Sequence, residues 1–254
     1  MPYSTLISFY GPKPRAFGGL IGDCQEEVAK CLGAAFRPYD LRQVHCTIAS
    51  LDRIGDTGIF NASFLEFRDR RVEMDLAGLT AYLGSMGGIQ IRIGGFAESD
   101  SPFVSRGQSP YQRSFSMQDG KAVVMGWPME RSGQLEIYPP RLDSLRRELQ
   151  RFGILHRYHA SEADIDNDFY LRIGLYDPAR IPPAAMARVE HRLREFLSHR
   201  PPVIFPLGLA DLALAQSDHV TLPPATTTLL PLSTPAITAR SIAGLFGWAD
   251  LVSR

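Results

Sequence analysis

Asp119-Gly120 sets an antiparallel pairing that the rest of the chain must accommodate. The dipeptide lies between two strand-like runs, Gln112–Met117 and Lys121–Trp127. Asp-Gly accepts the positive φ angles of a two-residue turn, so the runs predict a hairpin. Further strands are expected at Thr5–Tyr10, Val44–Leu51, Ile89–Phe96, Phe169–Leu175, within Val203–Ala215 and at Thr226–Leu230. Helices are expected between them. One runs from Asp23, as N-cap with Glu26 behind it, to Leu32, where Gly33 stops it. Others follow Asn61, continue through Leu76, Leu79 and Leu83, run from Pro140 to Gly153, and follow Pro182-Pro183. A last one starts at Thr234-Pro235. Hairpins with helices between them, rather than a regular βαβ alternation, define the α+β class with mostly antiparallel sheets.

Charge narrows the partners. Lys+Arg and Asp+Glu are 27 each, so the formal net charge is zero. No bulk field draws the chain to nucleic acid or to an anionic membrane, and a polyanion must be held by a local patch. No apolar run approaches the ~18 residues of a membrane span. Met1-Pro2-Tyr3-Ser4 lacks the basic and apolar regions of a signal peptide. Cys24, Cys31 and Cys46 are too few and too close for a disulfide framework. The expectation is a cytoplasmic protein. Cys24 and Cys31, two helical turns apart, are expected in the core.

The chemistry-bearing pattern is His45-Cys46-Thr47-Ile48. Alternation along a strand turns Val44, Cys46 and Ile48 inward and His45, Thr47 and Ala49 outward. A His and a Thr on one open face can move a proton near neutral pH and donate to a phosphoryl oxygen. A His on a solvated strand surface beside a strand-favouring Thr is the plain alternative.

The His45–Ile48 pattern, after an N-terminal strand and a helix, resembles the first motif of the two-histidine (2H) phosphoesterase superfamily. That superfamily includes 2′–5′ RNA ligase-like proteins and cyclic nucleotide phosphodiesterases. The resemblance implies a bilobal, pseudosymmetric fold with flanking helices around a central cleft, each lobe supplying one His-x-Thr/Ser strand. It implies residues 1–235 as a single bilobal domain, with 236–254 as a C-terminal helix packed on it. It also implies phosphodiesterase chemistry without metal or other cofactor: one His as base, the other as acid, the hydroxyls gripping phosphate. The substrates implied are cyclic phosphates and 2′–5′-linked or cyclic nucleotides. A loose internal echo, strand–helix–strand at 5–51 and again at 121–175, is in keeping with two lobes.

The second motif has two claimants. His219-Val220-Thr221-Leu222 matches in pattern but is followed by Pro223-Pro224, which reads as a strand end or turn. By element order the counterpart is instead Asp168–Leu175, where Asp168 takes the His position and Tyr170 the Thr position. On that strand Asp168, Tyr170 and Arg172 are expected on one side, away from Phe169, Leu171 and Ile173. Three readings stay open. His219 and Thr221 complete the site. Or His45 works with Tyr170, Arg172 or a histidine from the pair His156/His159. Or the protein is a degenerate module that binds a nucleotide or RNA-end phosphate without turnover.

Other patterns carry less. Gly18-Gly19-x-x-Gly22 lacks a G-x-G start and is expected as a flexible turn. His156 and His159 with Glu162 and Asp164 hold metal-ligating types, but a polar loop is the simpler reading. His191 and His199 are expected at the surface. Arg146, Arg147 and Arg151, with Arg157, are expected on a solvated helix face.

Overall fold

The Asp119-Gly120 turn forms with φ of 49° and 73°, and Gln118 pairs with Lys121 across it. Both central residues are left-handed, the geometry that matches the twist of two flanking strands. The computed structural model describes residues 2–55, 58–234 and 237–252.

The chain runs β1 (Tyr3–Ser8), α1 (Arg15–Leu32), β2 (Phe36–Pro38), β3 (Cys46–Ser50), β4 (Arg53–Ile54), β5 (Phe60–Asn61), α2 (Ala62–Arg68), α3 (Leu76–Gly84) and β6 (Ile89–Ile93). After a long loop come α4 (Pro110–Arg113), β7 (Phe115–Gln118), β8 (Lys121–Pro128), β9 (Glu130–Ser132), β10 (Leu135–Ile137), α5 (Arg141–Glu148) and β11 (Phe169–Tyr176). The last part holds α6 (Pro183–Ser198), β12 (Val203–Leu207), β13 (Leu212–Ser217), β14 (Thr227–Pro231), α7 (Ala239–Leu245) and α8 (Ala249–Val252). A four-stranded sheet has the order β14-β13-β1-β3. A six-stranded sheet has the order β12-β6-β8-β11-β2, with β7 also paired to β8. The pairings in both are antiparallel, and helices flank the sheets, as the α+β reading expects.

Two helices cross between the sheets. α1 connects β1 to β3 of the first sheet but packs on β2, β11 and β12 of the second. Gln25 fixes it there, its Nε2 donating to the carbonyls of Tyr39 and Ile173, both at 2.8 Å. Phe17 stacks on Phe205 at 4.5 Å and meets Phe169 edge-on. α5 connects β8 to β11 of the second sheet and packs on β3 of the first.

Several expectations change. α1 begins at Arg15, after Pro14, so Gly18, Gly19 and Gly22 lie inside a helix and Asp23 caps nothing. The helical penalty of glycine is outweighed by burial of Phe17, Leu20, Ile21, Cys24 and Val28 along one face. Cys24 is buried but Cys31 is exposed. The C-terminal helix starts after Thr238, whose hydroxyl accepts from the Ser241 amide at 3.2 Å. Pro235, its expected first residue, lies outside the described residues. Ile242, Ala243, Phe246 and Trp248 join the main core.

Arg146 lies where a solvated helix face was expected, yet it is 1% exposed. Its Nη1 donates to the carbonyls of Asp166 (2.9 Å) and Asp168 (3.1 Å), just before β11. Its Nη2 and Nε donate to Thr47 (3.1 Å) and Ile48 (3.3 Å) on β3. The β1–β3 register passes from Leu6↔Ala49 to Ile7↔Thr47, leaving Ile48 as a bulge. A bulge frees a carbonyl from its ladder, and a buried carbonyl needs a donor. One planar guanidinium therefore ties the bulge to the second sheet. Removing it leaves the Asp166 carboxylate, 3.4 Å away, with only the part-exposed Arg106 as a cation. Arg146→Met should lower unfolding free energy by about 3–5 kcal/mol, read from urea melts. Arg146→Lys should recover little of it, since an ammonium cannot span both strands.

Candidate functional site

Val44, Cys46 and Ile48 are fully buried, His45 is half-buried and Thr47 exposed. The alternation holds except at Ala49, which is also buried because the bulge shifts the phase. His45 stands just ahead of β3. Its Nδ1–H donates to the Gln43 carbonyl at 2.6 Å, since a carbonyl can only accept. The lone pair is then on Nε2. Desolvation lowers the His45 pKa to about 4, against the Gln43 bond, and the charges of Arg172 and Lys13 lower it further. The ring is neutral at pH 7.

His45 and Thr47 open into a cleft of about 300 Å3. Thr5 and Ser50 continue their wall, while Lys121, Tyr170 and Arg172 come from β8 and β11 of the other sheet. The segment after α5 contributes His156, Arg157, Tyr158 and Asp166. The Tyr170 hydroxyl accepts from Gln118 Nε2 at 3.3 Å. Arg172 Nη1 donates to the Tyr39 hydroxyl at 3.4 Å, and its buried Nε has no partner among the described residues. Lys121, Arg146, Arg157 and Arg172 stand against two carboxylates, Asp52 and Asp166. A chain of zero net charge thus concentrates cations here, which favours an anion.

Asp168 does not line this cleft. It is buried, and accepts from Trp127 Nε1 and Ser105 Oγ, each at 2.7 Å, and from Arg113. The loop before α4 covers that end of β11, so the same strand face is open at Tyr170 and closed at Asp168. His219 and Thr221 lie in an exposed turn after β13 rather than on a strand. The Thr221 hydroxyl donates to His219 Nδ1 at 2.7 Å. Gln43 Nε2 donates to Thr221 O (2.7 Å) and the Tyr10 hydroxyl to Leu222 O (2.8 Å), holding the turn against the His45 segment. Val220 and Leu222 reach the cleft lining; His219 is not part of it.

The cleft's second imidazole is His156, which a polar surface loop would have exposed. His156 and His159 are buried, each bonded to a carboxylate: Asp166 at 2.6 Å and Asp143 at 2.8 Å. Glu162 and Asp164 join neither. Among the described residues no three His, Cys, Asp or Glu side chains converge to hold a metal ion, and no helix is long and apolar enough to cross a membrane. Desolvation, with Arg146 nearby, lowers the His156 pKa to about 4 although Asp166 opposes it. Burial pushes the Asp166 carboxyl up, but Arg146 and the His156 bond outweigh it and hold it well below the usual carboxylate range.

No family model matches the chain, and no curated protein matches it. Among solved structures it is similar to TT0787 of Thermus thermophilus, over 90% of this chain and 93% of that one. The identity is 13% and the TM-score 0.39, a likeness too loose to carry an argument.

The buried His156 makes stability pH-dependent. The unfolded chain takes up its proton near pH 6.5, the folded chain only near pH 4. Stability should therefore fall as pH drops through that window, by roughly 3 kcal/mol for this group. Below it, protonation of Asp166 continues the loss. Melting temperatures from pH 7 to 4 should show a shallower decline in His156→Gln than in the wild type.

Proposed function

We propose that the chain is a phosphodiesterase acting in this cleft on a cyclic phosphate or on a 2′–5′-linked or cyclic nucleotide. The observation that carries the reading is that His45 and Thr47 share one cation-rich cleft with Tyr170 and Arg172. The succession β1–α1–β3 is repeated in β8–α5–β11, and each helix packs on the other sheet. That supports a two-lobed, pseudosymmetric reading with β3 and β11 as counterparts, and it lends weight to the two-histidine phosphoesterase resemblance.

In the proposed step His45 Nε2 takes the proton of the attacking water, a role open to an imidazole held neutral. The Thr47 hydroxyl donates to a phosphoryl oxygen. The water oxygen bonds to phosphorus as the bond to the leaving oxygen breaks. Arg172 meets the charge gathering on the phosphoryl group and the leaving oxygen, and solvent supplies the leaving proton. A second reading, binding without turnover, is favoured by one observation: β11 presents Tyr170 and Arg172 to the cleft, and no imidazole.

A panel of 2′,3′-cyclic nucleotides and cyclic dinucleotides, with chelator present, decides between them. Hydrolysis is expected, with His45→Ala lowering kcat by about 100-fold or more while the chain stays folded at the assay temperature. The acid limb of the rate should fall near pH 4, where His45 gains its proton, rather than near 6.5. A ligand-raised melting temperature with no product establishes the binding reading. Neither product nor shift discards both.

A further inference from the structure

A second cavity of about 260 Å3 adjoins the first, and Tyr3, Ser4 and Asp52 line both. The partition between them is rigid. Asp52 accepts from the Ser4 amide (2.7 Å) and the Ser50 hydroxyl (2.8 Å), and the Ser4 carbonyl accepts from the Leu51 amide at 2.7 Å. Both oxygens of Asp52 are thus engaged within the protein.

Two groups at this junction are not engaged in that way. Tyr3 is 40% exposed, although it is a large ring on a strand paired on both edges. It lines the place where the cavities meet. Arg53 lines only the second cavity. Its Nη1 donates to the Gly55 carbonyl, and no carboxylate among the described residues pairs with it. The far wall is fixed: Phe246 and Trp248 are 4% and 5% exposed, with rings 4.7 Å apart.

We propose that the ligand spans both cavities and is at least a dinucleotide. Its reacting phosphate lies by Thr47 and Arg172, a base stacks on Tyr3, and the neighbouring phosphate pairs with Arg53. This rests on the phosphoester reading of the first cleft. Thr47 in the first cavity and Arg53 in the second are six residues apart, at most roughly 20 Å of chain, a span within reach of two linked nucleotides. Base stacking on an exposed aromatic ring, followed by a cation set one unit further along, is how grooves hold single-stranded nucleic acid without reading its sequence.

The test compares two stable probes by calorimetry at one salt concentration: adenosine 3′-monophosphate and ApAp, the dinucleotide with the same terminal phosphate. In the wild type ApAp should bind at least about tenfold more tightly. Tyr3→Ala and Arg53→Gln, checked by thermal melts, should each cut that ratio to about threefold or less. A wild-type ratio near one, with both probes bound, overturns the two-cavity ligand and leaves the phosphoester reading standing. A tenfold ratio untouched by Arg53→Gln overturns the second cavity as its source. Binding of neither probe removes the phosphoester reading, and this inference with it.

Discussion

A single buried guanidinium holds the two sheets in the relation that creates the cleft. Arg146 donates to four carbonyls, two on β3 and two at the approach to β11. Those are the two strands whose side chains form opposite walls. The β3 bulge places Thr47 beside the opening but leaves backbone oxygens inside the protein, and Arg146 satisfies them. Its charge is answered by Asp166, which in turn engages His156. Site geometry and fold stability therefore share the same atoms. A hydrophobic residue could fill the space, but it could not register one strand against the other.

The cleft's electrostatics follow from how each charge is used. Asp52 and Asp166 are occupied by donors from the protein, whereas Arg157 and Arg172 pair with no carboxylate among the described residues. Lys121 stands 3.9 Å from the exposed Asp119, a weak pair. A chain with no net charge thus acquires a positive hollow through the selective neutralisation of its carboxylates. Burial keeps His45 unprotonated, with the charges of Arg172 and Lys13 adding to it, so a base is preserved beside the cations that attract an anion.

Much of this was legible in the residues. Asp119-Gly120 fixed a hairpin, alternation placed His45 and Thr47 opposite Cys46 and Ile48, and Phe169–Leu175 put Tyr170 and Arg172 on one side. The remainder depends on what covers a surface, which local pattern does not carry. Asp168 shares a strand face with Tyr170, but a loop distant in sequence closes over it. Arg146 sits among Arg147 and Arg151 in a run that reads as solvated, and only the bulge on β3 calls it inward. His156 was visible as a chemistry-bearing residue; its burial shows only in the folded chain, where it bonds the Asp166 carboxylate that Arg146 also meets. Three glycines disguised the first half of α1. His219-Val220-Thr221 kept a strand pattern, but Pro223-Pro224 and the left-handed Leu222, φ 50°, belong to a turn.

β1 sits inside its sheet, with Thr5 paired to Ser50 on one side and to Ala215 on the other. The ribosome makes β1 long before β13, its second neighbour. At about 5–20 residues per second, that edge waits roughly 10–40 seconds with its amides and carbonyls open. α1, meanwhile, has no β11 or β12 to cover its apolar face. A chain that has not yet reached β13 therefore carries an open strand edge, the kind of surface that pairs with other chains.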